Sequence, residues 1–220
     1  MAGQKSAVAP RAIRKRDADR TRHAILTAAR REFAQHGYLG ARIEKIVKAA
    51  DCNIRLLYHH FGNKRKLYLT ILEDAYQHIR AEEAKLAFDP ARPLEGLLEL
   101  LDFTFDYFQK NPTFEGLLRA ENMMRGKFVK QSTRVPEQGF PLVGKIQSLI
   151  DAGQRQGVLR DDLDAADLYV TITALSRFHL ANAFSLSALL GTDLTRAEWR
   201  QKRLERSRQL FRAYLTDRAN

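Results

Sequence analysis

Residues 55–68 read RLLYHHFGNKRKLY, and the fold turns on how they divide. Leu57 and Phe61 stand four apart, the spacing of one helix face, and Asn53 ahead of them is a good N-cap. That spacing predicts a short helix over roughly 54–60. Asn63 then caps a longer helix, whose inward positions Leu67, Ile71, Ala75 and Ile79 recur every four residues. The paired histidines invite a metal reading. On a helix, however, adjacent side chains diverge by about 100°, so His59 and His60 do not share one ion. Glu32 and His36 form another pair, at i, i+4, and lack a third ligand. No metal site is expected.

Working back from this stretch, Ile43, Ile46, Val47 and Ala50 follow i, i+3, i+4, i+7, one face of a two-turn helix. Asp51-Cys52-Asn53 separates it from the next. Before it, Ile25, Ala29 and Phe33, widened by Leu26, form the stripe of a helix beginning near Asp19, and Gly37 supplies its stop. Three helices of about 18, 7 and 7 residues are thus followed by a long connector helix. Two short helices across a tight turn make a helix-turn-helix, whose second helix enters the DNA major groove. Each helix offers only three or four apolar residues, so the unit is expected to lean on the connector.

The charge sits where this motif sits. Residues 1–68 hold 16 Lys and Arg against 5 Asp and Glu, while residues 69–220 hold 21 of each, so the whole formal excess of +11 lies in the first third. A basic end beside a neutral remainder points to a polyanion partner. Residues 1–17 are read as a flexible basic arm, 18–66 as the helix-turn-helix domain and 67–220 as a larger helical domain. The arm has no apolar face for a membrane surface. No apolar run is long enough to span a bilayer and the N-terminus lacks a secretory apolar core, which places the protein in the cytoplasm. Cys52, the single cysteine, is read as a small packing residue.

Beyond residue 69 no segment alternates like a strand, so the fold class is all-α. Pro93, Pro112, Pro136 and Pro141 fall near expected helix starts. Gly96 and Gly116 read as tolerated interior glycines, and Gly153 and Gly157 as a helix end. An apolar segment from Leu163 to Leu190 and a final helix carrying Leu204, Phe211 and Leu215 are candidates for a homodimer interface.

The stretch Arg22 to Leu67 resembles the DNA-binding domain of tetracycline-repressor-type (TetR family) transcriptional regulators. The resemblance is carried by ILTAARREFAQHGY, IEKIVKAADCN and LYHHFGNKRKLY. Four residues depart from the family pattern: Ala41 and Arg42 stand where a hydroxyl residue is usual, and Asp51 and Arg55 stand where Gly is usual. The resemblance puts Ile54, Arg55, Leu56, Tyr58 and His59 on the groove-facing side of the second short helix. Arg55 suits guanine O6/N7, and Ile54 or Leu56 a thymine methyl. Tyr58, His60, Arg42 and Lys64 are expected on phosphates, the last at a helix N-terminus that itself favours anions, with Lys45 or Lys48 beside them.

In the second domain the resemblance implies an effector pocket, with Phe105, Phe108, Glu121, Asn122, Tyr169, Thr173 and Arg177 as candidates. Phe114, Leu117, Glu121 and Met124 put a carboxylate on an apolar stripe, and buried charge needs a partner or a ligand. An internal Glu121–Arg177 or Glu121–Arg125 ion pair is the alternative. The expected function is a homodimeric DNA-binding regulator, a repressor released from a palindromic operator by a small molecule. Its rival is a helix-turn-helix binder without an effector. No glycine-rich phosphate loop, nucleophile elbow or metal-spaced cluster is present, so neither a cofactor nor an enzymatic activity is expected.

Overall fold

The computed structural model describes residues 10–217. The first nine residues of the expected arm lie outside them, whereas residues 10–17 belong to the first helix, α1, which runs Pro10–Gly40. A proline at the first helical position followed by Arg, Lys and Ala favours helix. That signal carries no apolar period, so periodicity places the start too late. Gly37 (φ 63°) interrupts α1 where the stop is predicted.

Next come α2 (Ile43–Ala49), α3 (Ile54–Phe61) and α4 (Lys64–Ala84). Asp51 takes the left-handed turn position between α2 and α3 (φ 48°), a conformation that Asp tolerates better than most residues. Asn53 Oδ1 accepts from Leu56 N–H at 2.9 Å, and Asn63 Oδ1 from Lys66 N–H at 2.9 Å, so both expected caps form. The remaining helices are α5 (Pro93–Lys110), α6 (Pro112–Met123), α7 (Arg134–Arg155), α8 (Ala165–Ala181), α9 (Ala183–Leu190) and α10 (Ala197–Thr216). A 3-10 turn at Val129–Gln131 precedes α7, and the described residues contain no strand.

The chain divides into two compact units, one up to Leu72 with Gly116–Val129, the other Glu73–Glu115 with Lys130 onward. In the first, Ile25, Ala29, Phe33, Ile46, Leu57 and Leu67 are fully buried. The helix-turn-helix core is completed from far along the sequence. Buried Tyr68 stands edge-on to Phe33 and to Phe128, both with ring centroids at 4.9 Å, and Tyr38 lies 4.5 Å from Phe128. Glu121 fixes the turn that delivers Phe128: its Oε1 accepts from the N–H groups of Phe128 (2.5 Å) and Val129 (3.0 Å). Gly116 is more than a tolerated interior glycine, because a Cβ there would stand 2.6 Å from the Ala34 carbonyl oxygen.

In the second unit α5 is central and packs against α7, α8 and α10. Leu97, Leu101, Ile146, Ile150, Leu168, Ile172, Phe211 and Leu215 make its core. Two expectations are corrected. Pro136 sits in the first turn of α7 as a start signal should, but Pro141 lies inside that helix. The apolar segment ending at Leu190 is also not one helix: it breaks at Asn182 and resumes as α9, which ends at left-handed Gly191 (φ 61°).

Candidate nucleic-acid interface

Helix α3 is held down by one face and presents the other. Leu57 and Phe61 are buried, and His60 is half-buried beside Phe61, while Arg55 and His59 are exposed. Three apolar residues of the outer face are exposed too: Ile54 (40%), Leu56 (38%) and Tyr58 (42%). Among the described residues no other side chain covers these three on the eight-residue helix. Positions 54, 55, 58 and 59 share one helical face, so an arginine, a tyrosine, a histidine and an isoleucine are displayed together. The rings of His59 and His60 are edge-on with centroids 5.6 Å apart.

Helix α2 adds exposed Arg42, Lys45 and Lys48. Arg42 occupies the N-cap without a side-chain cap bond. Its backbone N–H donates instead to Glu32 Oε1 of α1 at 3.0 Å. This anchoring role for Glu32 has no signal in sequence spacing, since ten residues separate the two.

Lys64 has a role within the chain that the sequence reading did not give it. Its Nζ donates to the Ala41 carbonyl at 2.6 Å and sits 5.0 Å from the Tyr38 ring centroid, so it clamps the start of α4 to the connection between α1 and α2. Burial lowers its pKa, with Glu32 and Glu44 acting in the opposite direction. An ammonium has three donors, and one is committed to Ala41. Any phosphate contact is made by a lysine already serving as a strut.

The effector candidates of the second domain have mixed fates. Phe105 is a core residue stacked on buried His179, with centroids 4.8 Å apart, and Phe108 stacks on Phe114 at 5.6 Å. Arg177 pairs with Glu115 through Nε and through Nη2, the latter at 3.2 Å from Oε1, in place of the expected pairing with Glu121. Glu121 serves the turn described above, and exposed Asn122 donates back to the Leu118 carbonyl at 2.9 Å. Thr173 and Tyr169 are half-buried, and the Tyr169 hydroxyl accepts from Arg80 at 3.0 Å.

None of those seven residues lines the cavity of about 480 Å³ that opens between α4 and α7. Arg80, Glu83 and Lys145 are among its walls. Glu83 is buried, and desolvation raises its pKa to about 7 against the opposing charges of Arg80 and Lys145. Sequence reading passes over this pair because Arg80 and Glu83 look like an ordinary i, i+3 surface bridge.

Comparison with known proteins agrees with this architecture. The pattern of bacterial regulatory proteins of the tetR family matches residues 25–71, and that of the tetracyclin repressor-like C-terminal domain matches residues 93–210. The HTH-type transcriptional repressor NicS of Pseudomonas putida is 37% identical over 191 residues, covering 85% of this chain and 90% of the relative. The HTH-type transcriptional repressor SCO4008 of Streptomyces coelicolor is 31% identical, covering 74% and 80%. Among solved structures, a TetR transcriptional regulator from Chloroflexus aurantiacus superposes with a TM-score of 0.65 at 22% identity, over 92% of this chain and 98% of that one.

Proposed function

The chain belongs to the TetR family of bacterial transcriptional regulators, and from that premise we propose that it is a homodimeric repressor that a small molecule releases from a palindromic operator. The observation that carries the DNA contact is the outward face of α3: Arg55, Tyr58 and His59 with Ile54 and Leu56, seated on buried Leu57 and Phe61. Arg55 reads guanine, Ile54 and Leu56 meet thymine methyls, and Arg42, Lys45 and Lys48 meet phosphates. His60, half-buried, and Lys64, tied to Ala41, contact the backbone only at its edge.

The second unit supplies dimerisation and control. Val170 and Phe178 on α8 and Leu210 on α10 are each about 60% exposed. Large apolar side chains on the two late helices are what a helical dimer seam needs. A palindromic site then follows from two-fold symmetry, with half-site centres about 34–36 Å apart or a small extension of that. An effector releases DNA only if it binds the DNA-incompetent arrangement more tightly, and α4 is the helix common to both units. Among the described residues no helix is long and apolar enough to cross a membrane. The cytoplasm, where the chromosome lies, is where such a regulator works.

The test is a fluorescence-anisotropy titration with DNA from upstream of the protein's own gene against a scrambled duplex of equal length, at about 0.15 M salt. Preference for the upstream DNA supports the proposal, and equal affinity for both duplexes removes it. A helix-turn-helix binder without an effector remains the competing reading, and ligand-dependent change in the thermal midpoint separates the two.

A further inference from the structure

The cavity between α4 and α7 opens to solvent and combines apolar walls with buried charge. Ala81, Ala84, Pro141 and Leu142 give it apolar walls, and its volume of about 480 Å³ suits a small organic molecule. Pro141, inside α7, has no N–H to give to the Glu137 carbonyl, so the helix ladder is interrupted at the wall itself. Polar groups line it from α4 and α7, and one of them is backed from α8. On α4, Arg80 Nη1 donates to Glu83 Oε2 at 2.5 Å. From α8, the Tyr169 hydroxyl accepts from Arg80 Nη2 at 3.0 Å, and the guanidinium lies 5.6 Å from that ring's centroid. From α7 come Lys145, whose Nζ makes a long contact of 3.4 Å with the Leu86 carbonyl, and the exposed Glu137.

This arrangement is lopsided. The Arg80 and Glu83 side chains are only 13% and 5% exposed, yet they share a single oxygen-to-nitrogen contact where a guanidinium accommodates a two-pronged carboxylate. Lys145 stands by as a second cation with donor capacity left over. Glu83 and Glu137 share the cavity with these cations, and an organic anion that displaces Glu83 from Arg80 meets both positive groups as partners.

We propose that this cavity binds a small organic monocarboxylate, whose anion takes Arg80 and Lys145 while Glu83 leaves Arg80 and accepts a proton from solvent. The inference rests on the proposed effector-responsive repressor and gives its effector a chemical class and a place. Apart from that proton no covalent bond changes; above Glu83's pKa of about 7 one proton moves from water to Glu83 for each anion bound, and below it Glu83 already holds the proton. The groups facing Glu83 are Arg80 on its own helix and Lys145 and Glu137 on α7. Burial has already raised the Glu83 pKa to about 7. Proton uptake coupled to binding makes affinity fall with pH.

The experiment uses the full chain with benzoate, phenylacetate and hexanoate, each paired with its uncharged amide, and reads affinity by titration calorimetry. Below Glu83's pKa of about 7 carboxylate affinity is flat, and above it affinity falls about tenfold per pH unit. The amides bind weakly at every pH. Glu83→Gln mimics the protonated acid, so it binds carboxylates at high pH as tightly as the unaltered protein does at low pH. Arg80→Gln placed in the Glu83→Gln background, which strands no buried charge, loses carboxylate binding while keeping its helical circular dichroism.

Equal binding of acid and amide, a pH-independent carboxylate affinity, or no binding by any of the three acids overturns the inference. DNA release is scored separately. A carboxylate that binds without releasing DNA upholds the site and sinks its role as effector pocket. Release by another compound, with no carboxylate bound, upholds the effector-responsive repressor and sinks this site.

Discussion

Lys64→Met separates two jobs that one lysine performs. In the structure its ammonium donates to the Ala41 carbonyl at 2.6 Å and rests over the Tyr38 ring at 5.0 Å. A hydrogen bond to a charged group contributes about 1.5–3 kcal/mol, and a cation over an aromatic face about 0.5–1 kcal/mol more. Against these stands desolvation of the ammonium, visible in its lowered pKa. Methionine keeps the apolar stem and has no charge to desolvate. It leaves the carbonyl of buried Ala41 without its donor. The balance is a loss of about 2 kcal/mol, read from the urea midpoint with an unchanged slope. If the same ammonium also meets phosphate, the slope of log affinity against log salt flattens by about one unit. A stability loss below about 0.5 kcal/mol, the range of an ordinary surface change, refutes the strut.

Three further outcomes follow from the structure. Gly116→Ala puts a Cβ 2.6 Å from the Ala34 carbonyl oxygen, so thermal unfolding should show about 1–3 kcal/mol of overpacking, and an unchanged midpoint contradicts the close approach. Glu83 and His179 make opposing pH contributions. Glu83, raised from 4.5 to about 7, costs stability as pH climbs through that interval. His179, lowered from 6.5 to about 4 by burial and by Arg203 and Arg200, costs stability as pH falls through its own. Each amounts to about 3 kcal/mol at most, so the slopes offset between pH 4.5 and 6.5. Glu83→Gln should expose the His179 slope alone and raise stability above pH 7, and a profile identical to the parent's sinks this account. Arg55→Ala should cost about 1–3 kcal/mol on operator DNA and little on random DNA, and equal losses on both reassign Arg55 to phosphate.

The helix-turn-helix was legible because its signals are local. Apolar spacing marks α2 and α3, Asn53 and Asn63 cap their helices, and Asp51 takes the left-handed turn position. What closes that unit was not legible. Phe128, Gly116 and Glu121 lie more than forty residues beyond the motif, and no periodicity links them to Phe33, Ala34 or Tyr68. The same limit applies to Glu121 as a ligand residue. A carboxylate on an apolar stripe announces a buried partner without saying that the partner is two backbone N–H groups. Arg177 was read as meeting a ligand or Glu121, and the acid it pairs with is Glu115. Burial of the Arg80–Glu83 pair depends on α7 and its internal Pro141, so sequence alone makes it a surface bridge.

The central claim is that the outer face of α3 reads a two-fold symmetric DNA site. Nuclease footprinting on the region flanking the protein's own gene tests it directly. The account predicts one protected segment made of two inverted half-sites with centres about 34–36 Å apart, or slightly more, and loss of that protection with Arg55→Ala. Protection spread evenly along the DNA, or a single unpaired half-site that Arg55→Ala leaves intact, would contradict it.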